Sequence, residues 1–236
     1  SSCIDFAVAK TSLLSFASHV VVASPSPQKV NDPVKRLENT IFERTLPGSV
    51  SEEVVDAHGS TVIRALVTKF VETDRLVWTS GELLKIGFAS VDLDRVRIEF
   101  ITDNCDARFW GALVAVQFAM FKHGGSVTLT VGTAIVKPRR MQEVTAGLAG
   151  AVDAVARGLA DDLAPIRINV ISLGIVNTEM NIKPPAQKVK TWSKSEAMLL
   201  VHLCKPEEIA EAYLFLFRCG FITGQRLQTD GGSKYV

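Results

Sequence analysis

The side chains best suited to chemistry are thinly spread in this chain. Cys3, Cys105, Cys204 and Cys219 lie far apart and form no CxxC pair. Such cysteines read as free, buried thiols in a reducing compartment rather than as a redox couple or metal ligands. His19, His58, His123 and His202 form no pair at ligand spacing, so a metal is not expected. The stronger signal is positional. From Ser126 to Met180 a β-branched run (Val127 to Val131) is followed by a polar loop, then by an Ala/Gly/Leu-rich segment closing at Asp162-Leu163-Ala164-Pro165. A second β-branched run (Ile166 to Ser172) leads into the turn Gly174-Ile175-Val176-Asn177-Thr178. Strand, helix, strand and turn make a right-handed βαβ unit with a ligand loop at its carboxyl end.

The rest of the chain must build a sheet around that unit. Phe6 to Lys10 is helix-periodic and His19 to Ser24 reads as a strand. Gln28 to Ile41 is an amphipathic helix with Val30, Val34, Leu37 and Ile41 on one face. Val50 to Asp56 is a strand, and Ser60 to Val71 a helix with Ser60 as its N-cap. Arg75 to Thr79 is a short strand ending in Ser80-Gly81, and a long helix is expected over Asp92 to Met120, broken near Thr102. Lys183 to Lys190 is a polar loop, followed by a short helix over Ser193 to Val201 and another from Pro206 to Phe217. Pro206 suits a first helical turn and Glu207-Glu208 suit its dipole. The alternation predicts an α/β, Rossmann-type doubly wound parallel sheet with helices on both faces. One domain over 1–236 is expected, with 181–201 as a covering loop and helix. A doubly wound sheet needs a central strand before its first helix, so that strand is expected ahead of Ser1.

Composition narrows the function. With 236 residues, 47% apolar and 22% charged, the chain can bury a sizeable core. A net charge of +1 argues against nucleic acid or an anionic membrane as partner. No apolar run approaches the roughly 20 residues of a membrane span, and no signal peptide is visible. A cytoplasmic location is the expectation.

Four features occur together in a telling order: Asp56 at the end of the strand from Val50, Thr79-Ser80-Gly81, Leu173-Gly174 with Thr178, and Thr223-Gly224 through Asp230-Gly231-Gly232. In that order they resemble the short-chain dehydrogenase/reductase family over the whole chain. The resemblance implies a dinucleotide held by Ser2, Ile4, Ser24, Lys29, Asp56, Ser80, Gly81, Gly174, Val176 and Thr178. The second strand ends without an acidic residue and Lys29 is near, which favours NADP(H) over NAD(H). The family's last two loop glycines fall on Cys3 and Asp5. A carboxylate there repels phosphates, so cofactor binding is expected to be weakened or lost.

The same resemblance places the family's catalytic Tyr and Lys on Thr145 and Ala149, its Ser on Val131 or Gly132, and its Asn on Arg108. Orthodox members need the Tyr to protonate an alkoxide, and the only tyrosines here are Tyr213 and Tyr235. Arg108, Glu143 and Val144-Thr145-Ala146-Gly147-Leu148 resemble a fungal branch, the bifunctional reductase/Diels–Alderases of prenylated, bicyclo[2.2.2]diazaoctane indole alkaloid biosynthesis. That branch carries Asp where this chain has Glu143. The resemblance implies Arg108 and Glu143 as catalytic residues, a hydrophobic small-molecule substrate of prenylated indole or diketopiperazine type, and a homodimer or homotetramer. Three alternatives stay open. Arg108 and Glu143 form a structural ion pair in a dead site, or Thr145 or a water serves an NADPH-dependent reductase of a small ketone, or the protein is a non-catalytic Rossmann-fold protein. Arg139-Arg140 are expected in a solvated loop and Trp110 in the core or an oligomer interface.

Overall fold

The structure is a computed structural model and describes residues 3–81, 105–178 and 198–236. It has the α/β, doubly wound Rossmann-type architecture with helices on both faces, and its described strands pair as a two-stranded parallel sheet and a four-stranded sheet. Its contacts divide into two compact units, one of residues 1–56, 173–218 and 229–236, the other of 57–172 and 219–228.

In the first unit, α1 (Ile4–Leu14), β1 (His19–Ser24), α2 (Pro27–Arg44) and β2 (Ser49–Val54) follow in order. β1 and β2 pair in parallel from His19 opposite Ser49 to Ser24 opposite Val54. The helix period of α2 does what the sequence asks of it. Val30, Val34 and Leu37 are buried with Phe6, Ala9, Leu13 and Val22, and Ile41 packs beside them. α6 (Pro206–Arg218) lies along α1 in the same unit, where Arg218 donates to the Ser15 hydroxyl at 2.8 Å. Pro206 opens α6 as expected. Glu208 reaches back to accept from the Lys205 backbone N–H at 2.7 Å, half of a capping box. It also meets His202 Nε2 at 3.0 Å. The Lys205 N–H, then the His202 contact, hold the Glu208 carboxyl below its ordinary range.

In the second unit, α3 (Ser60–Thr68), β3 (Thr73–Trp78), α4 (Gly111–Phe118), β4 (Phe121–Gly132) and α5 (Glu143–Asp162) are followed by β5 (Arg167–Leu173) and β6 (Arg226–Thr229). The strand order is β3-β4-β5-β6. Val127, Leu129 and Val131 of β4 and Ile168 and Val170 of β5 are buried against Ala112 and Val116 of α4 and Ala149, Val152, Ala156 and Ala160 of α5. The small residues of α5 explain the fit, since alanine lets a helix approach a β-branched sheet surface closely. Asp153, buried on α5, ion-pairs with Arg157 and with Arg226 of β6 at 3.2 Å.

Several boundaries differ from the sequence reading. The N-cap of α3 is Gly59, with Ser60 already helical and making no cap bond. α3 also stops at Thr68, whose hydroxyl turns back to the Arg64 and Ala65 carbonyls, rather than reaching Val71. The helix expected to end at Met120 stops at Phe118. Ala119 is extended, and the Met120 carbonyl accepts from Thr73 N–H at 2.7 Å as β4 begins. The start expected at Asp92 lies outside the described residues. Of the helix expected near Ser193 to Val201, only Met198 to Val201 are described, and they are not helical but bend at Leu199 and Leu200. They are tied down from outside, Leu200 N–H donating to the Gly231 carbonyl at 3.0 Å.

Two stability predictions follow from this packing. Leu37→Ala removes a side chain with no exposed surface and is expected to cost about 3 kcal/mol in chemical denaturation. Glu208 has a lowered pKa in the folded chain, so its contribution is present above the ordinary glutamate range and lost as pH falls through the lowered value. Wild type is expected to melt above Glu208→Gln at neutral pH, with the gap closing in acid.

Candidate functional site

In a parallel α/β sheet the strands' carboxyl ends point one way, and the loops leaving them form the binding edge. Each unit has strand ends of this kind.

In the first unit, Ser24 closes β1 and its carbonyl accepts from Val55 N–H at 3.0 Å, tying together the ends of β1 and β2. Asp56 follows β2 and is exposed, as is Lys29 in the first turn of α2. After β5 comes the turn 174–178. Gly174 N–H donates to the Thr229 carbonyl at 2.9 Å. A Cβ on Gly174 would lie 2.7 Å from Asp230 Cα, so only glycine allows this approach. Val176 and Thr178 are buried, with Thr178 N–H on the Val176 carbonyl at 2.9 Å and Asn177 N–H on the Cys204 carbonyl at 2.8 Å. Asp230 in turn caps the last turn of the chain, accepting from Gly232 N–H, the Ser233 hydroxyl and Lys234 N–H at 3.0–3.2 Å. Sequence reasoning saw Asp230-Gly231-Gly232 as a motif and missed its job of shaping the turn at Gly174. Burial, then Glu208, pushes the Cys204 thiol up to about 11, so it is not a thiolate nucleophile at neutral pH.

The helix end expected to meet phosphates also belongs to this unit. Cys3 is extended and precedes α1 without a side-chain cap bond, Ile4 is the first helical residue and Asp5 lies in the first turn. The residue keeps exposed surface, yet crowding of its carboxyl raises the Asp5 pKa more than the nearby backbone N–H groups of Phe6 and Asp5 lower it. Ser2 lies outside the described residues.

In the second unit the site is built around β3. Thr79, Ser80 and Gly81 leave the strand half-buried. Trp78 Nε1–H donates to the Ala107 carbonyl at 2.9 Å, pinning the turn Asp106–Trp110 to the strand end. That turn is a single π-helical turn, a geometry that often marks function. It carries Arg108, which is half-buried, and whose guanidinium lies over Gly81. Gly111 closes the same junction, because a Cβ there would lie 2.7 Å from the Ala57 carbonyl oxygen and 2.9 Å from the Trp78 ring.

The other expected residues scatter. Glu143 opens α5 and is exposed. Among the described residues no hydrogen bond or ion pair joins it to Arg108, so the structural pair considered from sequence is not formed here. Thr145 is half-buried, Val131 and Ala149 belong to the core, and Gly132 is exposed at the end of β4. Arg139 and Arg140 are exposed. Trp110 is 53% exposed and meets Phe109 edge-on at 4.9 Å, which removes it from the core. Among the described residues no group of three His, Cys, Asp or Glu could hold a metal, and no helix is long and apolar enough to cross a membrane.

Residues 4–234 match the family model described as enoyl-(acyl carrier protein) reductase. The short-chain dehydrogenase/reductase ucsE of Acremonium sp is 30% identical over 98% of this chain and 90% of its own length. The short-chain dehydrogenase/reductase malC of Malbranchea aurantiaca is 33% identical over 45% of this chain and 41% of its own. The solved structure of MalC reductase/Diels-Alderase from that fungus superimposes with a TM-score of 0.87 at 22% identity, over 99% of this chain and 93% of that one. The residue pattern, the parallel fold and a match along nearly the whole chain agree, and the chain belongs to the short-chain dehydrogenase/reductase family.

Proposed function

We propose that this protein is an NADP(H)-dependent reductase of a cationic carbon–nitrogen double bond, an intramolecular Diels–Alderase, or both, acting on a prenylated indole or diketopiperazine-type substrate. The single observation that carries the reading is Arg108. A guanidinium stands at the carboxyl end of β3, while the positions that resemble the family's Tyr and Lys hold Thr145 and a core alanine, Ala149. The likeness to malC and to the MalC reductase/Diels-Alderase supports the same reading.

The chemistry suits those residues. Reducing an iminium gives a neutral amine, so no proton donor is required. A carboxylate is needed instead to stabilise the cation, and Glu143 at the start of α5 is assigned that part. Cycloaddition needs no acid or base but a pocket that holds diene and dienophile in a reactive conformer. Arg108 donates hydrogen bonds to a substrate carbonyl and so orients the azadiene precursor.

The residues present fit a dinucleotide along most of its length. Ser24, Lys29 and Asp56 are assigned to the adenosine end. Gly174, Val176 and Thr178, whose turn is held to Asp230 and Cys204, are assigned to the nicotinamide end. The α1 N-terminus is the exception, since Asp5 sets a carboxylate where phosphate would lie, and we assign this chain a weakened cofactor affinity on that ground. When bound, NADPH supplies the hydride. We further assign a homo-oligomer, because Gly147, Gly150 and Gly158 of α5 face open space.

Two measurements test the reading. NADPH consumption is expected with a prenylated indole iminium and not with simple ketones, and Arg108→Ala and Glu143→Ala are each expected to slow turnover about tenfold or more. Unchanged yield and unchanged stereochemical ratio in both variants would sink it. Asp5→Gly is expected to tighten NADPH about tenfold in a fluorescence titration, the worth of removing one carboxylate beside a helix-bound phosphate.

A further inference from the structure

Resemblance gives Gly81 to the cofactor, but the structure puts a different group on it. A Cβ built on Gly81 would lie 2.2 Å from Arg108 Nη2, 2.3 Å from Cζ and 2.8 Å from Nη1. All three are far shorter than a van der Waals contact. The guanidinium therefore occupies the volume that any other residue's side chain would claim, and its Nε is buried there. Neither partner is free to back away at the main chain. The Trp78–Ala107 hydrogen bond joins the strand end to the π turn at 2.9 Å, and Gly111 packs without a Cβ against Trp78 and Ala57. The π turn adds one residue to the helical turn and so aims Arg108 off the helix face and toward the end of β3.

We propose that Gly81 is the positioning residue of Arg108, a flat peptide seat that fixes where the guanidinium meets a substrate carbonyl. The proposal deepens the function above and rests on it in one respect, that Arg108 touches substrate. The same geometry implies an asymmetry between folding and function. The far end of an arginine is flexible, so a methyl group at position 81 displaces the guanidinium at small cost to stability. A group that must hit a carbonyl within a few tenths of an ångström does not tolerate that displacement.

The test compares the full chain as wild type, Gly81→Ala, Arg108→Ala and the double variant. The first readout is the arginine Nε–H spectrum of 15N-labelled protein, with the Arg108 signal identified by its loss in Arg108→Ala. Gly81→Ala is expected to speed exchange of that proton about tenfold or more; an unchanged signal overturns the seat, whatever the enzyme does. The second readout is turnover of the iminium substrate. Gly81→Ala is expected to lower kcat about tenfold, with KM for NADPH within about twofold, and to add nothing in the Arg108→Ala background. Equal losses in both backgrounds place Gly81 in cofactor contact and overturn the positioning role. If the exchange signal moves while Arg108→Ala turns over like wild type, the proposed function fails, and Gly81 is reduced to packing. Should Gly81→Ala not fold, the Arg108 Nε–H of the wild type decides alone: exchange slowed about tenfold or more against a free arginine supports the seat, and exchange at the free rate overturns it.

Discussion

The packing of α4 and α5 against the inner strands β4 and β5 is the constraint on which the second unit depends. Every residue of β5 is buried, and β4 is buried over Ser126 to Leu129 and again at Val131. Strands covered in this way cannot slip register without exposing apolar side chains. They therefore hold the ends of β3 and β4 at fixed depths, and the groups on those ends inherit that precision. The junction of Trp78, Ala107 and Gly111 extends it into the π turn, and so to Arg108.

Polar residues at the edge of each unit do a second kind of positioning. In the first unit Asp230 gathers three donors from the chain end, and its backbone approach leaves no room for a side chain on Gly174. Cys204 then takes Asn177 N–H, and Glu208 satisfies Lys205 N–H as α6 begins. Apart from the Ser233 hydroxyl, each donor is a backbone N–H that would otherwise need another partner. The turn 174–178 is thus shaped by residues far from it in sequence.

Periodicity is a local property, and that is why so much of the fold is legible in the amino-acid order. His19 to Ser24 is a strand with the bounds its residues suggest, Val30, Val34 and Leu37 are buried together, and Pro206 opens its helix. Element ends are less legible because neighbours decide them. α3 ends at Thr68, short of Val71, and the hydrogen bond from Thr73 to Met120 starts β4 sooner than its β-branched run suggests. Trp110 looks like a core residue by type, yet the π turn leaves it half exposed.

The site divides along the same line. Residue order alone determined the family pattern and the α/β alternation. Those are matters of residue type and spacing, which the chain carries without folding. Only the tertiary structure decided that Arg108 rests on Gly81, that Glu143 is exposed and makes no bond to it, and that Gly174 is held by Asp230. Each of these is a contact or its absence between segments distant in sequence, set by how closely two backbones approach once strands and helices have packed.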